Sequence, residues 1–462
     1  MSMADIIRTG ERVAPAHYEL DEAQWRAMID AAPLWFIAHW CDDRRAYALF
    51  LERERPLLAS TALSQKRYFA LSSRLPAASW PERIAQDLWG TQPLDAADTD
   101  PALDHGFWTR GWPWSSRSGP GAAPPPLRAE DEPFRDRTGP FALNGPTLKL
   151  GFSHRGLLQN MHGLKPEEAL RFVGRATASG FVAHALAYSR AIEQAVGVRP
   201  TAAARDGRSI LSEIERISVH LRDIAATARL TGAGLLATHA ELAEDLLAEL
   251  CLRHGASRRL LDSITPEGIA PGIEAPPLAQ AAYTALMPRL PLLDKLHRQF
   301  SENLRRIGLI SLSQIEALSI GGLTGRASGR SFDLRQHEDD MRHVPGRAGS
   351  LLAGDAWARE RLRLAEIRDS LRRIERIGAG FAAELPAPPM PPVGSGEGFG
   401  AVEGAHGDIW YWVRLREEKI DTLYARDPAL SLLPALPALL RHETAPELAL
   451  ASFGFSPSGA EL

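Results

Sequence analysis

The residue types that do most protein chemistry are sparse here. Two cysteines, Cys41 and Cys251, stand 210 positions apart. Neither has a CxxC neighbour, so no disulfide framework and no cysteine-rich metal site can be built from them, and two buried free thiols are expected. The fourteen histidines are scattered. Phosphate-cradling, dinucleotide-binding, zinc-protease and nucleophile-elbow motifs are all missing. Glu213, Arg216, His220 and Asp223 recur every three or four residues in RSILSEIERISVHLRDIAATARL. That spacing puts them on one helix stripe, and patterning alone makes it the solvated face. His184, set among alanines in FVAHALAY, is expected to be a packed helix residue rather than a ligand.

The elements that would position such groups fall into blocks. Ile210, Ile214, Ile217, Leu221 and Ile224 form the apolar stripe of a long helix, and helical patterns dominate 165–320 and 355–384. Before them, PLWFIAHW, RAYALFL and KRYFALSS with the helical SWPERIAQDLWG suit a small α/β unit over 1–118. Glycine, proline and charge mark a linker at 119–140, and PAPPMPPVGSGEGFG suggests a second at 385–400. After it, GDIWYWVRL and KIDTLYARD read as two strands of a hairpin turning at REE, within a final segment 401–462. The 45% hydrophobic content and net charge of −4 describe an ordinary globular chain with no general attraction for nucleic acid or anionic membranes. No run approaches the roughly 20 apolar residues of a membrane helix, and the N-terminus carries charge where a signal peptide needs an apolar core. A cytoplasmic protein is expected, with any membrane contact made through partners.

Several strings in fixed order carry a resemblance. GFSHRGLLQNMHGLKPEEALRFVGR, AHALAYSRAIEQAVG, RSILSEIERISVHLRDI, GGLTGRASGRSFDLRQ and the tail through SFGFSPSGAEL resemble the 49 kDa subunit of respiratory NADH:quinone oxidoreductase and the large subunit of group 4 [NiFe]-hydrogenases. SWPERIAQDLWGTQPLD with GWP at 111–113 resembles the companion thirty-kilodalton subunit, fused as in hydrogenase-4 and formate hydrogenlyase large subunits. The resemblance covers about 60–462. It implies an α+β fold: an α/β domain like the thirty-kilodalton subunit, a helical bundle over 141–384 of the hydrogenase large-subunit or 49 kDa type, and a C-terminal β-hairpin completing it.

In the hydrogenases four thiolates, in two CxxC pairs, hold nickel and iron. The resemblance puts Thr177 and Gly180 at the first pair and Ser456 and Gly459 at the second, and a neutral hard hydroxyl does not replace soft thiolate. No NiFe centre is therefore expected. The quinone-headgroup tyrosine position falls on Ala178 and the aspartate near Leu230, and the shortened hairpin offers no histidine before His154. The positions that do match are His154, Arg155, Glu213, Arg216, Arg326, Arg330 and Asp333. These either line a cavity or bridge elements by ion pairs. The implied role is the large subunit of a membrane-associated energy-converting redox complex, peripheral on the inner membrane, with electron transfer coupled to ion or proton translocation. A small subunit carrying a [4Fe-4S] cluster and antiporter-like membrane subunits are the implied partners, with quinone or another acceptor as substrate. Two alternatives stay open. One is a non-catalytic structural or coupling subunit. The other is a reductase for an unrecognised acceptor, with His154, Arg326, Arg330 and Asp333 binding it and moving protons.

Overall fold

The computed structural model describes residues 1–106, 108, 111–115, 154–177, 179–336, 351–381, 394–441 and 443–454, and the backbone of 142–144 and 147–149. Helix α1 (Met3–Ile7) opens on a reciprocal cap between Ser2 and Asp5, and α2 (Glu22–Asp30) on one between Asp21 and Gln24. The strands β1 (Glu11–Ala14), β2 (His17–Leu20), β3 (Trp35–Cys41), β4 (Arg45–Glu52) and β5 (Arg55–Ala62) form one sheet in the order β1-β2-β5-β4-β3. Its pairs are antiparallel except β2 with β5. Strand β6 (Arg67–Phe69), α3 (Ser79–Trp89) and β7 (Gln92–Leu94) follow, with β6 and β7 parallel. The sheet is apolar on both faces because both are covered. Phe36 and Phe50 pack with Trp25 and Met28 of α2, while Ile37, Trp40, Tyr47 and Leu49 meet Trp410 and Trp412 from the far end of the chain. That double coverage explains the unbroken run PLWFIAHW.

Beyond the hairpin β8 (Ala142–Asn144) and β9 (Thr147–Lys149), helices α4 (Leu157–Asn160) and α5 (Pro166–Val173) lead into α6 (Phe181–Val196), α7 (Ala202–Leu230) and α8 (Gly234–Arg253). After the short pair β10 (Ile264–Thr265) and β11 (Gly268–Ile269) come α9 (Ala275–Leu286), α10 (Leu290–Phe300), α11 (Leu312–Ala317), α12 (Gly322–Ala327) and α13 (Ala356–Ala379). Helix α7 packs between α8 and α13. Its stripe from Ile210 to Ile224 is buried as the spacing requires. The polar stripe is not the solvated face, however. Glu213, Arg216 and His220 are at most 2% exposed, because α13 and the strand that follows it cover the face the pattern assigned to water.

The antiparallel strands β12 (Ser395–Glu403), β13 (Asp408–Arg416) and β14 (Lys419–Arg426) form the second sheet, and α14 (Ala429–Leu432), α15 (Leu436–Leu440) and α16 (Pro446–Phe453) complete the described elements. Strand β13 alternates: Ile409, Tyr411, Val413 and Leu415 join the bundle core, while Trp410 and Trp412 join the N-terminal sheet. Two residues, Glu417 and Glu418, both at positive φ, turn it into β14. Of the expected linkers, 119–140 lies outside the described residues. The second needs correction, since residues 395–400 belong to β12. Its glycines serve close packing rather than flexibility: a Cβ on Gly396, Gly398 or Gly400 would collide with the backbone carbonyl of Ala195, Ala191 or Ala187. Alanines every fourth residue on α6 and glycines every second residue on β12 therefore bring helix and strand backbones into contact. Both cysteines are buried free thiols. Among the described residues, no helix is long and apolar enough to cross a membrane.

Candidate functional site

Gly180 is the N-cap of α6, and Thr177 lies buried just before it. An added Cβ on Gly180 would stand 3.1 Å from both Thr177 Oγ1 and His184 Cδ2, so the two positions face each other closely. With Ala183, His406, Ile409 and Asp427 they line a cavity of about 20 Å³, room for roughly one water molecule. The donor set there is a threonine hydroxyl and a glycine, which offers no soft anionic ligand and does not fit a nickel–iron group. Ser456, Gly459 and Ala178 lie outside the described residues. Gly454, two residues before Ser456, packs so tightly on Asp223 and Arg363 that a Cβ would overlap both. Leu230, placed by the resemblance at an aspartate position, is 52% exposed at the end of α7 and does not line the cavity. No α7 residue lines the cavity, but Asp223 of α7 holds one that does, His406. The Asp223 carboxylate accepts His406 Nε2 at 2.9 Å and pairs with Arg363 at 3.2 Å. His184 is fully buried, its Nδ1 2.9 Å from the Tyr411 hydroxyl and its Nε2 3.0 Å from Asp427.

The matched charges converge elsewhere, in a buried ionic network among α7, α12, α13 and β12. Arg326 donates to Glu366 and Glu403, each at 2.7 Å, and stands 3.8 Å from Asp333. Asp333 pairs with Arg335 at 2.6 Å, and Arg335 reaches Glu366 at 3.4 Å. Glu213 receives Arg216 and Arg373, each at 3.2 Å. Arg216 also donates to the carbonyls of Glu403 and Gly404, and His220 Nε2 is 2.9 Å from Glu366. Burial would raise the Glu366 carboxyl, but the guanidiniums of Arg335 and Arg326 outweigh it and hold that carboxyl well below the usual range. Burial pushes His220 down to about 4, so its imidazole is neutral beside the carboxylate.

Of the seven matched residues, Glu213, Arg216, Arg326 and Asp333 meet in this network and the other three do not. Arg330 lies over the rings of Trp35 and Phe332, at 3.8 and 4.7 Å, where the five-stranded and three-stranded sheets approach. Burial lowers its guanidinium to about 10. His154 is buried against Trp108 and Trp114. Arg155 is exposed and donates to the carbonyls of Arg175 and Ala176. Sequence reasoning missed Glu366, Glu403, Arg335, Arg363, His406 and Asp427. Glu366 and Arg363 repeat at ordinary helical spacing in ERLRLAEIRDSLRRIER and carry no signal of burial. The glutamate, histidine and aspartate in EGAHGD, between two apolar strands, were the one local cue.

Residues 282–390 match the family model described as the respiratory-chain NADH dehydrogenase 49 kDa subunit. The chain is 26% identical over 323 residues to a Phocaeicola vulgatus protein named as the C/D subunit of NADH-quinone oxidoreductase, covering 65% of this chain and 61% of the relative. It is 25% identical over 334 residues to the D subunit of the F(420)H(2) dehydrogenase of Methanosarcina mazei, covering 65% and 88%. With the D subunit of the NADH-quinone oxidoreductase of Carboxydothermus hydrogenoformans it shares 26% over 296 residues, covering 59% and 78%. The match thus spans less than two thirds of the fused C/D relative's length. A large subunit of this family joined to a domain like the thirty-kilodalton subunit is consistent with a relative that is itself named C/D.

Proposed function

We propose that this chain is the large subunit of a membrane-associated, respiratory-type complex of the hydrogenase-4 or NADH-quinone oxidoreductase kind, and that within it the chain couples or scaffolds rather than holding a redox centre. The observation that carries this reading is the cavity of about 20 Å³ at Thr177 and Gly180. It has neither the thiolates a NiFe group needs nor the volume of a quinone headgroup, since small-molecule sites run to roughly 300 Å³ and more. The buried ionic network favours the coupling role. Paired buried charges have discrete arrangements, and displacing one partner leaves another uncompensated in low dielectric. Arg326, tied to Glu366, Glu403 and Asp333, is its centre.

In this reading a [4Fe-4S] cluster sits on a small subunit, antiporter-like subunits provide the membrane part and translocate ions or protons, and this chain is cytoplasmic and peripheral. The names of the relatives, subunits of oxidoreductases, support the assembly. The test is isolation of the assembled complex from its host through a tag on this chain, with subunits identified by mass spectrometry. A cluster-bearing small subunit and polytopic membrane subunits in equal amounts are expected. Recovery of the chain alone under conditions that keep membrane complexes intact would overturn the proposal.

A further inference from the structure

Arg330 differs from the arginines nearest it. The acids that face it are Asp408 and Glu403. Each is already held by another guanidinium, Asp408 by Arg426 and Glu403 by Arg326, both at 2.7 Å. Among the described residues, no acceptor takes a hydrogen bond from the Arg330 guanidinium and no ion pair reaches it. It is held instead over the rings of Trp35 and Phe332. Burial lowers it only to about 10, so it is a cation at neutral pH. A guanidinium stacked on aromatic rings presents a pre-organised planar fork of N–H donors, and that fork matches the two oxygens of a carboxylate.

The group is within reach from outside. Trp35, Arg330 and Phe332 are half-buried, and Ser331 is exposed. The surface that continues from it through Gly329 is apolar. A Cβ on Gly329 would stand 3.1 Å from Leu352 Cδ2 and 3.9 Å from Leu312 Cδ2, so both leucines lie against the residue before Arg330. Leu352 is 85% exposed and Leu312 is 40% exposed. Beside Leu312, Ser311, Ser313 and Gln314 are exposed and uncharged. A single ion pair open to water contributes little by itself, which argues against a small free carboxylate as the occupant. Aromatic rings, an arginine, leucines and a scarcity of other charge make up the core of a protein–protein interface.

We infer that Trp35, Arg330 and Phe332, with the exposed Leu312 and Leu352, receive a segment of a partner subunit in which an aspartate or glutamate is flanked by apolar side chains. The carboxylate takes the Arg330 fork, and its apolar neighbours cover the leucines. The inference rests on the reading of this chain as one subunit of a complex, and it is separate from the coupling role of the Arg326 network.

The test uses the complex isolated through a tag on this chain. Arg330→Lys keeps the positive charge and supplies a primary amine. A water-soluble carbodiimide joins that amine to a carboxylate in contact with it, forming an amide while the carbodiimide takes up the water and leaves as a urea. Mass spectrometry of the digested complex is expected to show position 330 linked to an acidic residue of another subunit, and no such link in Arg330→Gln. Arg330→Gln, with its fold checked by circular dichroism, is also expected to release one co-isolating subunit about thirtyfold faster than the wild-type chain, the lower end for truncating one partner of a buried charge pair at an interface. If Arg330→Lys does not assemble, this second measurement decides. A link only to acids of this chain, no link in a complex whose subunits co-isolate, or unchanged release of every subunit would overturn the inference and leave the subunit reading standing. Recovery of the chain alone would overturn both.

Discussion

His406 Nε2 donates to Asp223 Oδ2 across 2.9 Å, tying the turn between β12 and β13 to α7 at the wall of the Thr177 cavity. The same carboxylate holds Arg363, and Gly454 packs upon it. Burial pushes the Asp223 carboxyl up, but His406 and Arg363 prevail and keep it below the ordinary range. Asp223→Asn preserves the shape and removes the charge both partners need. It is expected to cost about 1–3 kcal/mol of stability in urea denaturation at neutral pH. A cost within about 0.5 kcal/mol, as for an ordinary surface position, would show the carboxylate is not held as described.

The buried network makes a sharper demand. Arg326→Ala leaves Glu366 and Glu403 without a guanidinium in the interior, and breaking such a buried group costs about 3–5 kcal/mol. Arg155→Ala, at an exposed arginine that donates only to carbonyls, is expected to cost less than about 1 kcal/mol. Denaturant titrations of both variants check the contrast. Similar costs would contradict the separation of the matched residues into buried and peripheral ones.

Close approach of α6 and β12 predicts that Gly400→Ala destabilises by about 3 kcal/mol, because the methyl meets the Ala187 carbonyl rather than a movable side chain. Gly394→Ala, just before the strand with open space around its Cβ position, is expected to stay within about 0.5 kcal/mol. Thermal or chemical unfolding distinguishes them.

Glu215 accepts the N–H groups of Val182 and Ala183, in the first turn of α6, yet burial pushes its carboxyl up to about 7. In the unfolded chain it titrates near 4.5. Between those values the folded state holds a proton the unfolded state has released. The stability this group contributes is thus complete below about 4.5 and is lost as pH rises through 7. Relative to Glu215→Gln, the wild-type chain is expected to lose on the order of 2–3 kcal/mol between pH 5 and 8. A pH-independent difference between the two proteins would contradict the assignment.

Much of the architecture was legible because local pattern and final environment agree. The isoleucine stripe of α7 and the alternation in GDIWYWVRL each report the face that ends up buried. Reading failed where the deciding partner lies far along the chain. Glu213, Arg216 and His220 look solvated until Glu366, Arg373 and Glu403 cover them, 146 residues separating His220 from Glu366. The glycines of GSGEGFG look like a linker because flexible connections and close-packed strands share a composition. Only their pairing with the alanines of α6 separates the two. At the candidate site, residue types alone exposed the lack of thiolates at Thr177 and Gly180. The small volume beside them, and the roles of His406 and Asp223, depend on tertiary contacts no short motif encodes.

The most direct test of the central claim is the nickel and iron content, per copy of this chain, of the complex isolated from its native host. The account predicts iron, carried by the partner's cluster, and no nickel. Nickel in equal amount with the chain would contradict it.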